Sequence, residues 1–419
     1  MSVRPSITER VRQLGGGHTA GAIQVVIAAL IAQAGGFASG LLLARGLTAS
    51  TRGVLAVVLL WPVTISSLVS TGLLQAVNFR AASNRDSGVR TGIGAALRLA
   101  IALVTPAAIG LFFLLPSLVG SQAGFEARVY LVWMPLSVLS GILAIRLLGE
   151  DEVQSYTAAR VVSVFLSLVS VAVLFAVGQL TVHNIVLGYI LAEVGTAAFA
   201  YVRLRKHLTE VEEDAGEIRA LASYAARSTP GAAASVIGDR ADQLVLAQSL
   251  APAALGTYVV AGTFAGVAGL VGQSVADLVL SRVARRSPSR GSIFRFASIA
   301  FALGIAGAAA VAVLASFAVG HLLGTSYSSA VVVIRVLAIH FAVLGTIRLF
   351  SGVLRGLGRP GWVASADLAT TAVRFAALLV LVPLYGVTGA AVAVLVSSAL
   401  NLTIHIEMTR RATQRELVI

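Results

Sequence analysis

The chain has 419 residues, of which 57% are hydrophobic and only 12% charged, with a mean hydropathy of +0.91. This is more apolar and less charged than a soluble domain of average usage, so the composition excludes an ordinary water-soluble enzyme and indicates a polytopic membrane protein. The net charge of +13 would suit a nucleic-acid binder only if it clustered on one surface, whereas here it falls between apolar runs; the absence of cysteine excludes disulfide frameworks and thiolate metal sites.

Residues 1–18 read as a short basic tail containing Arg4, Arg10 and Arg12. The apolar run over 19–44 is too long for the hydrophobic region of a signal peptide and reads as an uncleaved first span. Further runs near 54–78, 92–115, 129–148, 161–178, 185–202, 228–249, 256–280, 293–317, 331–352, 366–384 and 387–407 are each close to the length of about 20 residues that crosses a bilayer. The fold class is therefore all-α, with about twelve transmembrane helices and no sizeable soluble domain.

An even number of spans places both termini on one side. Of the 31 basic residues, Arg45, Arg52, Arg128 and Arg335 fall on one side and Arg240 and Arg374 within spans, which leaves 25 on the side of the N-terminus. Arg and Lys accumulate on the cytoplasmic side, so the termini are expected there, with anionic inner-leaflet lipid as the partner of the charge.

The longest polar stretch, 203–227, divides the chain. Val211, Ile218, Leu221 and Ala225 recur near helical spacing within it, which fits an interfacial amphipathic helix or a solvated linker. The expected layout is a cytoplasmic tail (1–18), a six-helix lobe (19–202), a cytoplasmic linker (203–227), a second six-helix lobe (228–407) and a cytoplasmic tail (408–419).

An internal repeat supports the division. A shift of 203 residues lays Leu41–Ala44 on Leu244–Ala247, Leu47 on Leu250 and Gly53 on Gly256, and a second echo pairs LLGEDEVQSYTAAR with LRGLGRPGWVASAD. Six spans per repeat give halves of equal orientation related by an axis along the membrane normal. Repeated halves around a midplane site are a transporter design.

Several ionisable residues lie inside the spans. Asp239, Arg240 and Asp242 interrupt the seventh, Glu193 the sixth and Arg374 the eleventh. Each costs about 3 kcal/mol or more in hydrocarbon, so such groups face a protein interior or an aqueous cavity. Asp239 and Asp242, at i and i+3, are expected on one helix face. Either these residues carry function or they pair with one another to hold the lobes together. Arg98 and Arg348 sit near enough to cytoplasmic ends to snorkel, His340 reads as a packing residue, and Arg45 and Arg52 flank the first outer turn as interfacial anchors.

With LLLARGLTASTRG after the first span, ADQLVLAQSLAPAALGTYVVA across the seventh and eighth, LLGTSYSSAVVVIRVLA into the tenth, LRGLGRPG before the eleventh and PLYGVTGAAVA into the twelfth, the chain resembles the Wzx-type polysaccharide flippases of the multidrug/oligosaccharidyl-lipid/polysaccharide (MOP) exporter superfamily. The resemblance implies two six-helix lobes around a central cavity, alternating access, a bacterial inner-membrane location, and translocation of a polyprenyl-diphosphate-linked glycan to the outer leaflet. It also implies a possible glycan polymerase or glycosyltransferase partner.

For that cargo, Arg240 and Arg374 are the candidate headgroup ligands, since a guanidinium fork matches phosphate oxygens. Asp239, Asp242 and Glu193 are candidates to carry H+ or Na+, and Arg98, Arg45 and Arg52 are weaker binding candidates. No cofactor is implied. Glu126 is the only acidic residue expected on the outer side, and no catalytic pair of acids there, Ser/His/Asp set or metal-ligand cluster appears, which disfavours a membrane glycosyltransferase. FRAASNRDSGVRTG does not carry the loop signature of a major-facilitator transporter. A cation-coupled multidrug or small-molecule exporter of the same superfamily is the alternative.

Overall fold

Backbone polar groups in hydrocarbon must be satisfied within the segment that crosses it, so apolar runs of this length fold as helices. The computed structural model describes residues 7–85, 93–120, 123–149, 152–205, 215–269, 290–323, 325–357 and 359–415. Among these residues the regular structure is entirely helical: α1 (Ile7–Gly46), α2 (Ala49–Arg85), α3 (Ile93–Val119), α4 (Gly124–Tyr130), α5 (Trp133–Gly149), α6 (Val153–Ala176), α7 (Val182–Leu204), α8 (Ala215–Ser249), α9 (Pro252–Gly266), α10 (Arg290–Ala318), α11 (Ala330–Gly356) and α12 (Pro360–Arg415). A π-helical turn over Val319–Leu323 and a 3-10 turn over Thr325–Tyr327 join α10 to α11.

Among the described residues, nine segments are long and apolar enough to cross a membrane. They include α4 and α5 taken together and the whole of α12 as one piece. The eleventh and twelfth predicted spans are the two arms of α12, which bends at Gly386, where φ is 58°. A left-handed φ is open to glycine at no steric cost, and Pro383 just before it removes one hydrogen bond from the ladder. The seventh predicted span is α8, too polar to count by hydropathy. The eighth is α9, with 270–280 outside the described residues. The protein is thus a multi-pass membrane protein, and the surface agrees: Val313 is 77% exposed and Phe113 73%, a display that suits lipid and not water.

Two hydrophobic cores lie on either side of α2. One gathers Leu55, Leu73, Met134, Ile142 and Ile185 from the first half; the other gathers Leu255, Tyr258, Ile334, Leu337 and Leu378 from the second. Between residues 203 and 227 the structure differs from a wholly solvated linker. From Ala215 onward the chain is already α8, and Leu221 and Ala225 are buried in the first core with Ile218 against it. Val211 lies outside the described residues.

The sequence repeat reappears as reciprocal contact. A Cβ on Gly53 would overlap the carbonyl of Pro252, and one on Gly256 would overlap the carbonyl of Ala49. Arg45 Nε donates to the Leu322 carbonyl at 2.9 Å, and Gln248 Nε2 donates to the Leu118 carbonyl at 3.0 Å. Residues 45 and 248, 49 and 252, and 53 and 256 are each 203 apart, and 118 and 322 match that spacing within one residue. Each half therefore makes to the other the contact it receives, as across a two-fold axis. The α1–α2 and α8–α9 turns lock together at one end of the helices. Tyr327 closes the same end by donating its hydroxyl to the Leu47 carbonyl at 3.0 Å.

Candidate functional site

The intramembrane charges fall into two separate groups. The first surrounds the middle of α8. Gly238 lets α12 come close, since a Cβ there would meet Thr371 Oγ1 at 2.5 Å. The approach brings Arg374 within reach of α8: its Nη1 donates to the Gly238 carbonyl at 2.5 Å, while Nε donates to Ser397 Oγ at 2.9 Å. Ser398 accepts from Arg374 Nη2 at 3.5 Å and lies 2.8 Å from His340 Nδ1. His340 is therefore buried and partnered, as a packing residue should be.

Asp239 and Asp242 do not act alike. Asp242 accepts a 2.5 Å hydrogen bond from Tyr258 of α9 and a 2.8 Å bond from the Gln243 amide. Asp239 is exposed, with the guanidiniums of Arg374, Arg348 and Arg240 in electrostatic range. Arg240 makes one long bond, 3.4 Å from Nη1 to Gln243 Oε1. Among the described residues none of Asp239, Arg240, Asp242, Glu193 and Arg374 forms a direct ion pair with another, while Arg374 and Arg240 act on Asp239 at longer range. Arg348 is exposed and belongs to this group as well, beyond its expected snorkelling position.

Tyr258→Phe tests the Asp242 contact. It leaves a half-buried carboxylate oxygen without its donor, and a loss of about 1–3 kcal/mol is expected, read as a lower unfolding temperature in detergent. Unchanged stability would mean that the bond carries no net energy.

The second group lies in the first half. Glu193 of α7 accepts from Ser140 of α5 and lines a cavity of about 330 Å3 with Arg52, Tyr130, Trp133 and Tyr189. Arg52 departs from the interfacial anchor expected of it: it is 8% exposed, and its Nε is buried without a hydrogen-bond partner among the described residues. Arg45 is exposed and tied to Leu322, and Arg98 is exposed on α3. The serine pair 397–398, Tyr258 and the aromatic wall of the cavity were not singled out from sequence. Hydroxyls and tyrosines within apolar spans carry no distinguishing pattern until their neighbours are known.

No protein-family model matches the chain, and no curated protein sequence does. Solved structures match over nearly its whole length. The lipid II flippase MurJ in an inward closed conformation has a TM-score of 0.74 at 12% identity, covering 94% of this chain and 91% of that one. An inward-facing multidrug resistance MATE family transporter of the MOP superfamily gives 0.70 at 16% identity, over 93% of this chain and 98% of that one. An outward-facing MATE structure gives 0.62 at 15%, over 94% of each. The chain has the MOP-type transporter fold.

Proposed function

We propose that the protein is an alternating-access flippase that carries a polyprenyl-diphosphate-linked oligosaccharide from the inner to the outer leaflet of a bacterial cytoplasmic membrane, for surface polysaccharide synthesis. In this reading the two six-helix lobes span 19–202 and 228–407, the segment 203–227 joins them, and both termini are cytoplasmic. The observation that carries it is the set of guanidiniums around Asp239, with Arg240 nearly free of partners. A diphosphate crossing the membrane needs cations at that depth, and a fork-shaped donor binds it in a defined orientation.

The fold shared with a lipid II flippase supports the transport class. The locked turns at 45–53 and 248–256 lie on the side that the charge bias assigns to the outside, so the molecule is closed outward in this state. Asp239 is the favoured coupling carboxylate, since Asp242 is engaged by Tyr258. A second reading, a cation-coupled drug exporter, draws on the exposed Asp239 and on the MATE likeness. It must place organic cations beside Arg240, Arg348 and Arg374.

Deleting the gene and following a radiolabelled lipid-linked precursor separates the two. Accumulation of the precursor on the inner leaflet supports the flippase, and its normal outward appearance in a strain with no second flippase sinks it. Arg240→Ala is expected to cut export more than about tenfold, as the loss of one charge-assisted phosphate contact implies, with membrane levels unchanged.

A further inference from the structure

We infer that the cavity of the first half is a second recognition site, which takes a carboxylate-bearing sugar unit of the cargo and holds its acid group with Arg52. The inference rests on the flippase reading for the source of the sugar, and on the cavity itself for the chemistry. A volume of about 330 Å3 lies within the range of pockets that enclose small ligands. Arg52 is more than nine-tenths buried and lines the cavity; its Nε is buried without a hydrogen-bond partner and its guanidinium forms no ion pair among the described residues. Glu193 lines the same cavity but forms no ion pair with Arg52; a guanidinium removed from water without a paired anion calls for one, and its fork fits a carboxylate.

The remaining walls select what bears the carboxylate. Tyr130 and Trp133 are stacked, with ring centroids 5.4 Å apart and planes 13° from parallel, and offer an apolar aromatic surface to the face of a pyranose ring. Glu193, Tyr189 and the lining hydroxyls can bond ring hydroxyl groups. A diphosphate would bring two charges toward Glu193 with one cation to meet them. A neutral sugar would leave Arg52 unpaired, and an organic cation would be repelled by it. Thr263 of α9 completes the wall, and its methyl presses on Gly40, so the cavity abuts the contact between halves and its occupant would be sensed by their relative movement.

The test is equilibrium binding of radiolabelled glucuronate to the purified full-length protein in nanodiscs, with glucose and acetate as competitors. Saturable glucuronate binding is expected, with glucose at least about tenfold weaker because a site built around a polar contact rejects the analogue lacking it, and acetate at least about tenfold weaker because it lacks the ring that packs on the aromatic wall. Arg52→Gln should reduce glucuronate affinity to the level of glucose while glucose affinity is unchanged, which also reports that the variant is folded. Arg52→Lys, which keeps the charge but loses the fork, should fall between. Acetate competing as well as glucuronate would mean an adventitious ion only, and unaltered binding in Arg52→Gln would remove Arg52; either overturns the inference. Because the probe is a soluble monosaccharide, its binding can survive when no lipid-linked glycan moves, and fail when one does, so the two readings fail separately.

Discussion

Arg374→Ala is expected to reduce transport by about 100-fold or more while the protein still inserts in the membrane. Its guanidinium makes two short bonds, to the Gly238 carbonyl and Ser397 Oγ, and a longer one to Ser398. Hydrogen bonds from a charged donor contribute about 1.5–3 kcal/mol each, so the two short ones tie α8 to α12 by roughly 3–6 kcal/mol. Losing about 3 kcal/mol corresponds to roughly 100-fold in an equilibrium. The loss should also leave Ser397, Ser398 and the Gly238 carbonyl without the donor that fills the space between them. Arg374→Lys keeps a point charge but not the planar fork, and intermediate transport is expected. Wild-type transport by Arg374→Ala, measured at equal membrane level, would reduce Arg374 to a packing residue.

The second large effect is expected at the repeat-related glycines. Gly53→Val and Gly256→Val place side chains where the Pro252 and Ala49 carbonyls already stand. Backbone atoms cannot rotate away, so the α2–α9 crossing must part. Overpacking of this kind costs about 1–3 kcal/mol; about 2 kcal/mol shifts a closed-to-open equilibrium roughly 30-fold. The chain has no cysteine, so a single Ser39→Cys reports the change without background. Ser39 is buried. A membrane-impermeant maleimide added from outside should leave Ser39→Cys unlabelled in the parent and label it in either valine variant. Equal labelling in parent and variants would mean that the glycine crossing does not seal that end.

The helices themselves were legible because apolar length is sufficient to specify a span, and the break read between 384 and 387 falls where α12 bends at Gly386. The repeat was legible too, although the sequence displayed it as matched residues and the structure as matched contacts: Arg45 and Gln248 look unrelated as side chains, yet each donates an N–H to a carbonyl of the other half. The site was less legible. Asp239 and Asp242 are three residues apart, which at 3.6 residues per turn leaves them about 60° apart around the helix. That is enough to turn one toward Tyr258 and leave the other open. Arg52 shows the same limit in reverse: sequence places it a few residues from an outer turn, but only the packing of α2 against its neighbours decides that it points inward, toward the cavity that holds Glu193.

The most direct measurement is leaflet accessibility in proteoliposomes that contain the purified chain and a fluorescent polyprenyl-diphosphate oligosaccharide, under an imposed proton or sodium gradient. A membrane-impermeant quencher should reach the label in the outer leaflet alone when protein is absent. With the protein present, label from the inner leaflet should become accessible as well, and should do so far more slowly with Arg240→Ala. An inner-leaflet fraction that stays protected in the presence of the folded protein would contradict a flippase for lipid-linked glycans.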